Sequence, residues 1–143
     1  MPDRFAHFFS WLFQPLLMPL AGTLIFLSLP YYAFMLMPPK LKWLVIFCNL
    51  LFTILLPAGF ILLMKRFRLV SSIRLDERSD RPLPVFITGL FYIFNLYYLF
   101  QLNNYLPGVY YYFLLAGTIS VFMTLLVSVW WKISMHMTGA GGL

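Results

Sequence analysis

Acidic residues are scarce in this chain of 143 residues: Asp and Glu number 4 against 10 Lys and Arg, and charged residues make up only 10% of the sequence. Cysteine is scarcer still. Cys48 stands alone inside an apolar run, which excludes an internal disulfide or a cysteine metal cluster and leaves a small core residue as its simplest reading. No Asn-x-Ser/Thr acceptor, internal repeat or low-complexity segment occurs. The apolar run after Arg4 lacks the small-residue cleavage pattern of a signal peptide, so the chain is read as mature from Met1.

What is abundant is hydrocarbon. The chain is 62% hydrophobic and 20% aromatic, with a mean hydropathy of +0.87, whereas soluble domains run at about 45–50% apolar. This composition predicts an all-α, polytopic membrane protein, a single membrane domain over residues 1–143. The formal charge of +6 would suggest nucleic acid in a soluble protein. Here the cations flank apolar spans, as the positive-inside bias requires, and nucleic acid is excluded as a partner.

A bilayer core of ~30 Å takes about 20 helical residues, and four stretches qualify. The first runs over about 16–37, entered past Pro15 and Pro19 and kinked at Pro30, after a short interfacial helix near 5–13. The second runs over about 41–64, where Asn49, Thr53 and Pro57 fall at i, i+4, i+8 on a face expected to look inward, as packing contacts between helices. The third covers about 85–102, with Thr88, Tyr92 and Asn95 on one face. The fourth covers about 109–131, where Gly117, Ser120, Thr124 and Ser128 are spaced for close helix approach. Tyr110, Tyr111 and Tyr112 are read as an interfacial belt, like Trp43. Residues 133–143 begin a fifth element.

Between the second and third spans lies a polar loop, 65–84, which contains three of the four acidic residues and six of the ten cations. Four crossings set this loop, the amino terminus and the last segment on one side, where Arg4, Lys65, Arg66, Arg68, Arg74, Arg78, Arg81 and Lys132 outnumber Lys40 and Lys42. That side is expected to be cytoplasmic. If residues 73–80 are helical, Arg74, Arg78 and Arg81 at i, i+4, i+7 share a face, and guanidinium forks suit phosphate oxygens. The plainer reading is a set of juxtamembrane cations, partly paired through Glu77 and Arg81, and the local pattern leaves both open. Ser134 and His136 follow the fourth span. Ser134 could cap a new helix and offer free N–H groups to an anion, with His136 beside it; a histidine at an interface is otherwise structural.

Arg74, six residues and then Arg81-Pro82 resembles the first signature of the type 2 phosphatidic acid phosphatase superfamily, which is Lys, six residues, Arg-Pro. Ser134-Met135-His136 is similar to its second, Pro-Ser-Gly-His. The resemblance covers roughly 67–142. It implies a six-helix membrane bundle that hydrolyses lipid phosphates or polyprenyl pyrophosphates with no metal or other cofactor. Under it Arg74 and Arg81 hold the phosphate, Ser134 donates a hydrogen bond to it, and His136 protonates the leaving alcohol. Arg74 replaces the Lys of that pattern, and Ile133 and Met135 replace its Pro and Gly. The third signature, which supplies the nucleophilic histidine, is absent, so the chain is expected to be inactive as it stands. Residues 13–19 and 131–134 also resemble small bacterial membrane proteins grouped with the superfamily, which implies the bacterial inner membrane and a phosphorylated lipid or isoprenoid as substrate. Homo-oligomerisation is left open.

Two rivals stand beside this reading. Asp76 and Asp80, followed by Arg81-Pro82-Leu83-Pro84, resemble the aspartate-rich loop of the Mg-dependent intramembrane aromatic prenyltransferases. That family needs a second acidic loop, and no Asp or Glu follows Asp80. The other rival is a non-enzymatic membrane scaffold whose six cations from Lys65 to Arg81 bind anionic headgroups.

Overall fold

The computed structural model describes residues 15–70, 79, 82–102 and 104–130. Among them the architecture is an all-α membrane bundle. A 3₁₀ turn, Pro15–Leu17, leads into helix α1, Met18–Ser28, and a short α2, Tyr32–Met35. One continuous helix then runs from Pro39 to Arg66 in three parts: α3, Pro39–Asn49; a π-helical segment, Leu50–Leu55; and α4, Leu56–Arg66. Helix α5, Pro82–Phe100, and helix α6, Gly108–Trp130, complete the bundle.

Three described helices are long and apolar enough to cross a membrane: Pro39–Arg66, Pro82–Phe100 and Gly108–Val127. The first has 28 residues. At 1.5 Å per residue it is ~42 Å long, more than the ~30 Å of hydrocarbon, so its two charged ends reach the headgroups. Large apolar side chains such as Phe47, Leu62, Phe94 and Leu126 face outward. Spread over the whole bundle, they form a surface suited to acyl chains.

The stretch expected to span over 16–37 is divided where a single kinked helix was anticipated. Helix α1 has 11 residues, ~16 Å, about half of a hydrocarbon core. The cause is Pro30, which restricts the residue before it to extended backbone. Leu29 accordingly sits at φ −67° and ψ 142°, closing α1. The chain then re-enters as α2 and delivers Phe34, 1% exposed, to the core, while Tyr31 and Tyr32 stay outside. Pro19, at the first turn of α1, is well placed, because its missing N–H would have had no helical partner.

Ring contacts fix the helix directions. Phe52 meets Tyr98 and Phe60 meets Phe91, so α5 runs antiparallel to the Pro39–Arg66 helix. Phe100 meets Tyr111 and Gly89 faces Phe122, so α6 turns back along α5, its most extensive neighbour. The ends at Arg66, Pro82 and Trp130 therefore share one side of the bundle, and those at Pro39, Phe100 and Gly108 share the other. Tyr111 completes the second side by donating from its hydroxyl to the Leu99 carbonyl at 3.0 Å, one of the carbonyls a helix end leaves unpaired.

Close approach occurs at Gly22 and Gly89. A Cβ at Gly22 would collide with the Phe113 ring, and one at Gly89 would lie 2.8 Å from the Phe122 ring. The expectation for the fourth span is corrected here. A Cβ at Gly117 would meet nothing within 4 Å, and the Ser120 hydroxyl donates to Ala116 in its own helix. Thr124, in contrast, is buried as expected. Among the described residues the small side chain at position 117 serves no contact, because α6 presents the face of Tyr110, Leu114 and Thr118 to the core.

Candidate functional site

Two places in the described residues concentrate polar chemistry. The first is inside the bundle. Asn49, Thr53, Thr88, Tyr92 and Asn95 are all buried, as the helical spacing of the two inward faces predicts, and Thr23 and Tyr110 join them. Thr23, Thr53 and Thr88 each donate to the carbonyl four residues earlier in their own helix. Such bonds satisfy a hydroxyl without any neighbouring helix. The cross-helix work falls to the amides and the phenol.

Their hydrogen bonds form a chain whose direction is fixed by counting donors. Asn49 Nδ2 gives its two hydrogens to the Val45 carbonyl at 2.9 Å and to Tyr110 Oη at 2.8 Å. Rotating that amide would set Asn49 Oδ1 against the Val45 carbonyl, so Oδ1 must face α5, where Asn95 Nδ2 donates to it at 3.1 Å. The single Thr23 hydroxyl hydrogen goes to the Pro19 carbonyl. Tyr110 must therefore donate across the 2.9 Å contact to Thr23 Oγ1. The series Asn95 to Asn49 to Tyr110 to Thr23 to Pro19 joins α5, α3, α6 and α1. Its side chains are neutral, able to hold and orient a polar group but not to supply a charge.

Tyr110 was missed by the sequence reading, which placed it in the interfacial belt with Tyr111 and Tyr112. Only Tyr112 is exposed; Tyr110 is 0% exposed and packs edge-on against Phe26 and Phe34. The available signal was periodicity, since Tyr110, Leu114 and Thr118 at i, i+4, i+8 form the buried stripe of α6.

The second place is the end of α4. Lys65 and Arg66 lie in its last turn, where cations favour the negative end of the helix dipole. Arg68 follows with φ 59°, in the left-handed region. Its N–H bonds the Lys65 carbonyl at 3.0 Å and the N–H of Leu69 bonds the Met64 carbonyl at 2.9 Å. This paired closure of a helix end normally uses glycine. Val70 then tucks against Met64 and Ile87, tying the turn to α5. All three cations are exposed.

The sequence-predicted site residues Arg74, Arg78, Arg81, Ser134 and His136 lie outside the described residues, as do residues 5–13 and the fifth element expected over 133–143. The described elements on either side of them, α4 with Val70, α5 from Pro82 and α6 up to Trp130, all end on the cationic side of the bundle. Compared with protein-family models, curated proteins and solved structures, the chain matches none.

Proposed function

We propose that this chain is an integral membrane protein that gathers phosphate-bearing lipids at the cationic end of its bundle. The observation that carries the reading is Arg68. A non-glycine residue in the left-handed region costs about 1–2 kcal/mol, and glycine would close the same turn without that cost. Keeping a strained arginine beside Lys65 and Arg66 is accounted for if its guanidinium is needed where headgroup phosphates lie. Near an anionic surface each cation contributes about 1 kcal/mol, so the three together are worth on the order of 100-fold in affinity. The charge asymmetry between this end and the Lys40–Lys42 end supports a cytoplasmic, inner-membrane orientation for it.

Within this reading Arg74, Arg78 and Arg81 would add their guanidiniums to the phosphate site, and Ser134 and His136 would serve it as the two motifs imply. The support for hydrolysis is the resemblance of their two motifs to the lipid phosphatase signatures. Under that resemblance His136 would pass a proton to the departing alcohol oxygen, but the signature that would supply the nucleophile for the phosphoryl group is absent from the chain, so binding without turnover is the expected behaviour.

The experiment uses the full chain in vesicles carrying phosphatidic acid, over a salt series. Binding that weakens in Arg68→Gly and with rising salt supports the headgroup site; salt-insensitive binding, unchanged in the variant, overturns it. Phosphate release in EDTA, lost in Arg81→Ala and in His136→Ala, would add hydrolysis to binding. Binding without release would leave the protein a non-enzymatic binder of phosphate headgroups.

A further inference from the structure

The buried chain of hydrogen bonds ends on an unfilled acceptor. Asn95 is 2% exposed, its Nδ2 is committed to Asn49 Oδ1, and its Oδ1 receives no hydrogen bond from the described residues. Rotating the Asn95 amide does not relieve this, because two amide oxygens would then meet. An acceptor left dry in so apolar a setting keeps its full desolvation penalty.

A second acceptor is short of a donor at the same level. In the π-helical segment Leu56 N–H bonds the Leu51 carbonyl, five residues back. Pro57, next in sequence, has no N–H to give. The carbonyls one turn before it, at Phe52 and Thr53, are therefore short of at least one donor. The Thr53 hydroxyl cannot supply it, since its hydrogen goes to the Asn49 carbonyl at 2.7 Å. The Phe52–Tyr98 ring contact and the Asn49–Asn95 hydrogen bond set this part of the helix alongside Asn95. Thr53 and Pro57 are fully buried.

Two acceptors on facing helices, each short of a donor, call for one small molecule that donates twice. We propose that a water molecule occupies the junction of the π-helical segment and α5, donating one hydrogen to Asn95 Oδ1 and the other to the carbonyl of Phe52 or Thr53. Water is the chemistry that fits: it carries the two donors that two acceptors need, whereas a cation would need several more oxygens than the site offers. Ordered water is one of the ways in which membrane helices interrupted by proline satisfy the freed carbonyl. The site lies apart from the cationic end, and its failure would leave the headgroup reading untouched.

The test is a structure of the full chain in lipid, at a resolution that shows buried waters elsewhere in the protein. The expected result is density within hydrogen-bond distance, about 2.7–3.2 Å, of both Asn95 Oδ1 and one of the two carbonyls. An empty junction, or a protein donor seated on Asn95 Oδ1, overturns the proposal. A second measurement needs no variant to survive: water-edited solid-state NMR on the asparagine-labelled chain in nanodiscs. Fast transfer from water to the Asn95 side-chain carbon is expected, and its absence overturns the site. In Pro57→Ala, which restores the missing N–H, that transfer should weaken; undiminished transfer would overturn the bridge to the carbonyl.

Discussion

The side-chain amide of Asn49 donates to the phenol oxygen of Tyr110 at 2.8 Å, across 61 positions of sequence. This bond fastens α3 to α6, and through Tyr110 and Thr23 it also reaches α1. Helix α1 is too short to span the hydrocarbon, so its place in the bundle depends on side contacts, of which the Tyr110 hydroxyl and the Phe113 ring over Gly22 are the most specific.

Tyr110→Phe should therefore destabilise the bundle by about 1 kcal/mol, the usual scale for a membrane hydrogen bond whose partners find some compensation on unfolding. One Asn49 hydrogen would lose its acceptor while ring packing persists. Reversible unfolding in mixed micelles would measure it. In a double-mutant cycle with Asn49→Leu, the two changes should fall short of additivity, since either one breaks the same bond. Strict additivity would mean that the two side chains do not interact.

Glycine substitutions should separate packing from propensity. Gly22→Ala drives a methyl into a Phe113 ring already hemmed in by Phe26 and Tyr110, at ring separations of 5.0 and 6.1 Å. Overpacking of this kind costs about 1–3 kcal/mol. Gly117→Ala meets open space and should instead stabilise by about 0.5–1 kcal/mol, the helix preference of alanine. The same unfolding assay reads both, and equal effects would contradict the packing described here.

The helices themselves were legible in the sequence because their polar residues keep helical spacing. Asn49, Thr53 and Pro57 point inward, as do Thr88, Tyr92 and Asn95, for the reason the pattern gives: lipid offers them no partner. Two things were hidden. Tyr110 looks like an interfacial residue because it follows a turn beside two other tyrosines, and only the buried stripe it shares with Leu114 and Thr118 shows otherwise. Residues 16–37 have the length of a span, but a hydropathy sum does not register the conformational restriction that Pro30 imposes on Leu29. Of the candidate site, the sequence showed where the cations cluster. It could not show that Arg68 closes a helix in a left-handed conformation, which depends on the Leu69 and Val70 contacts beyond it.

Arg68 gives a prediction in which stability and function move in opposite directions. Arg68→Gly relieves the left-handed strain but adds glycine's chain entropy, about 0.5–1 kcal/mol, so it should raise stability by about 0.5–1 kcal/mol net. It should also weaken binding to anionic vesicles, by roughly fivefold if one surface cation contributes ~1 kcal/mol. A variant that gained stability with unchanged binding would show that the side chain is dispensable and would remove the main support for a headgroup site.

The central claim is tested most directly by competition between two lipids for one protein. Native mass spectrometry of the full chain, released from nanodiscs of phosphatidylcholine doped with phosphatidic acid, counts which lipid stays attached. Wild type should retain phosphatidic acid preferentially, and Lys65→Gln/Arg66→Gln/Arg68→Gln should lose most of that preference while remaining folded. Equal retention of the two lipids by wild type, or a preference that survives neutralising all three cations, would contradict the account.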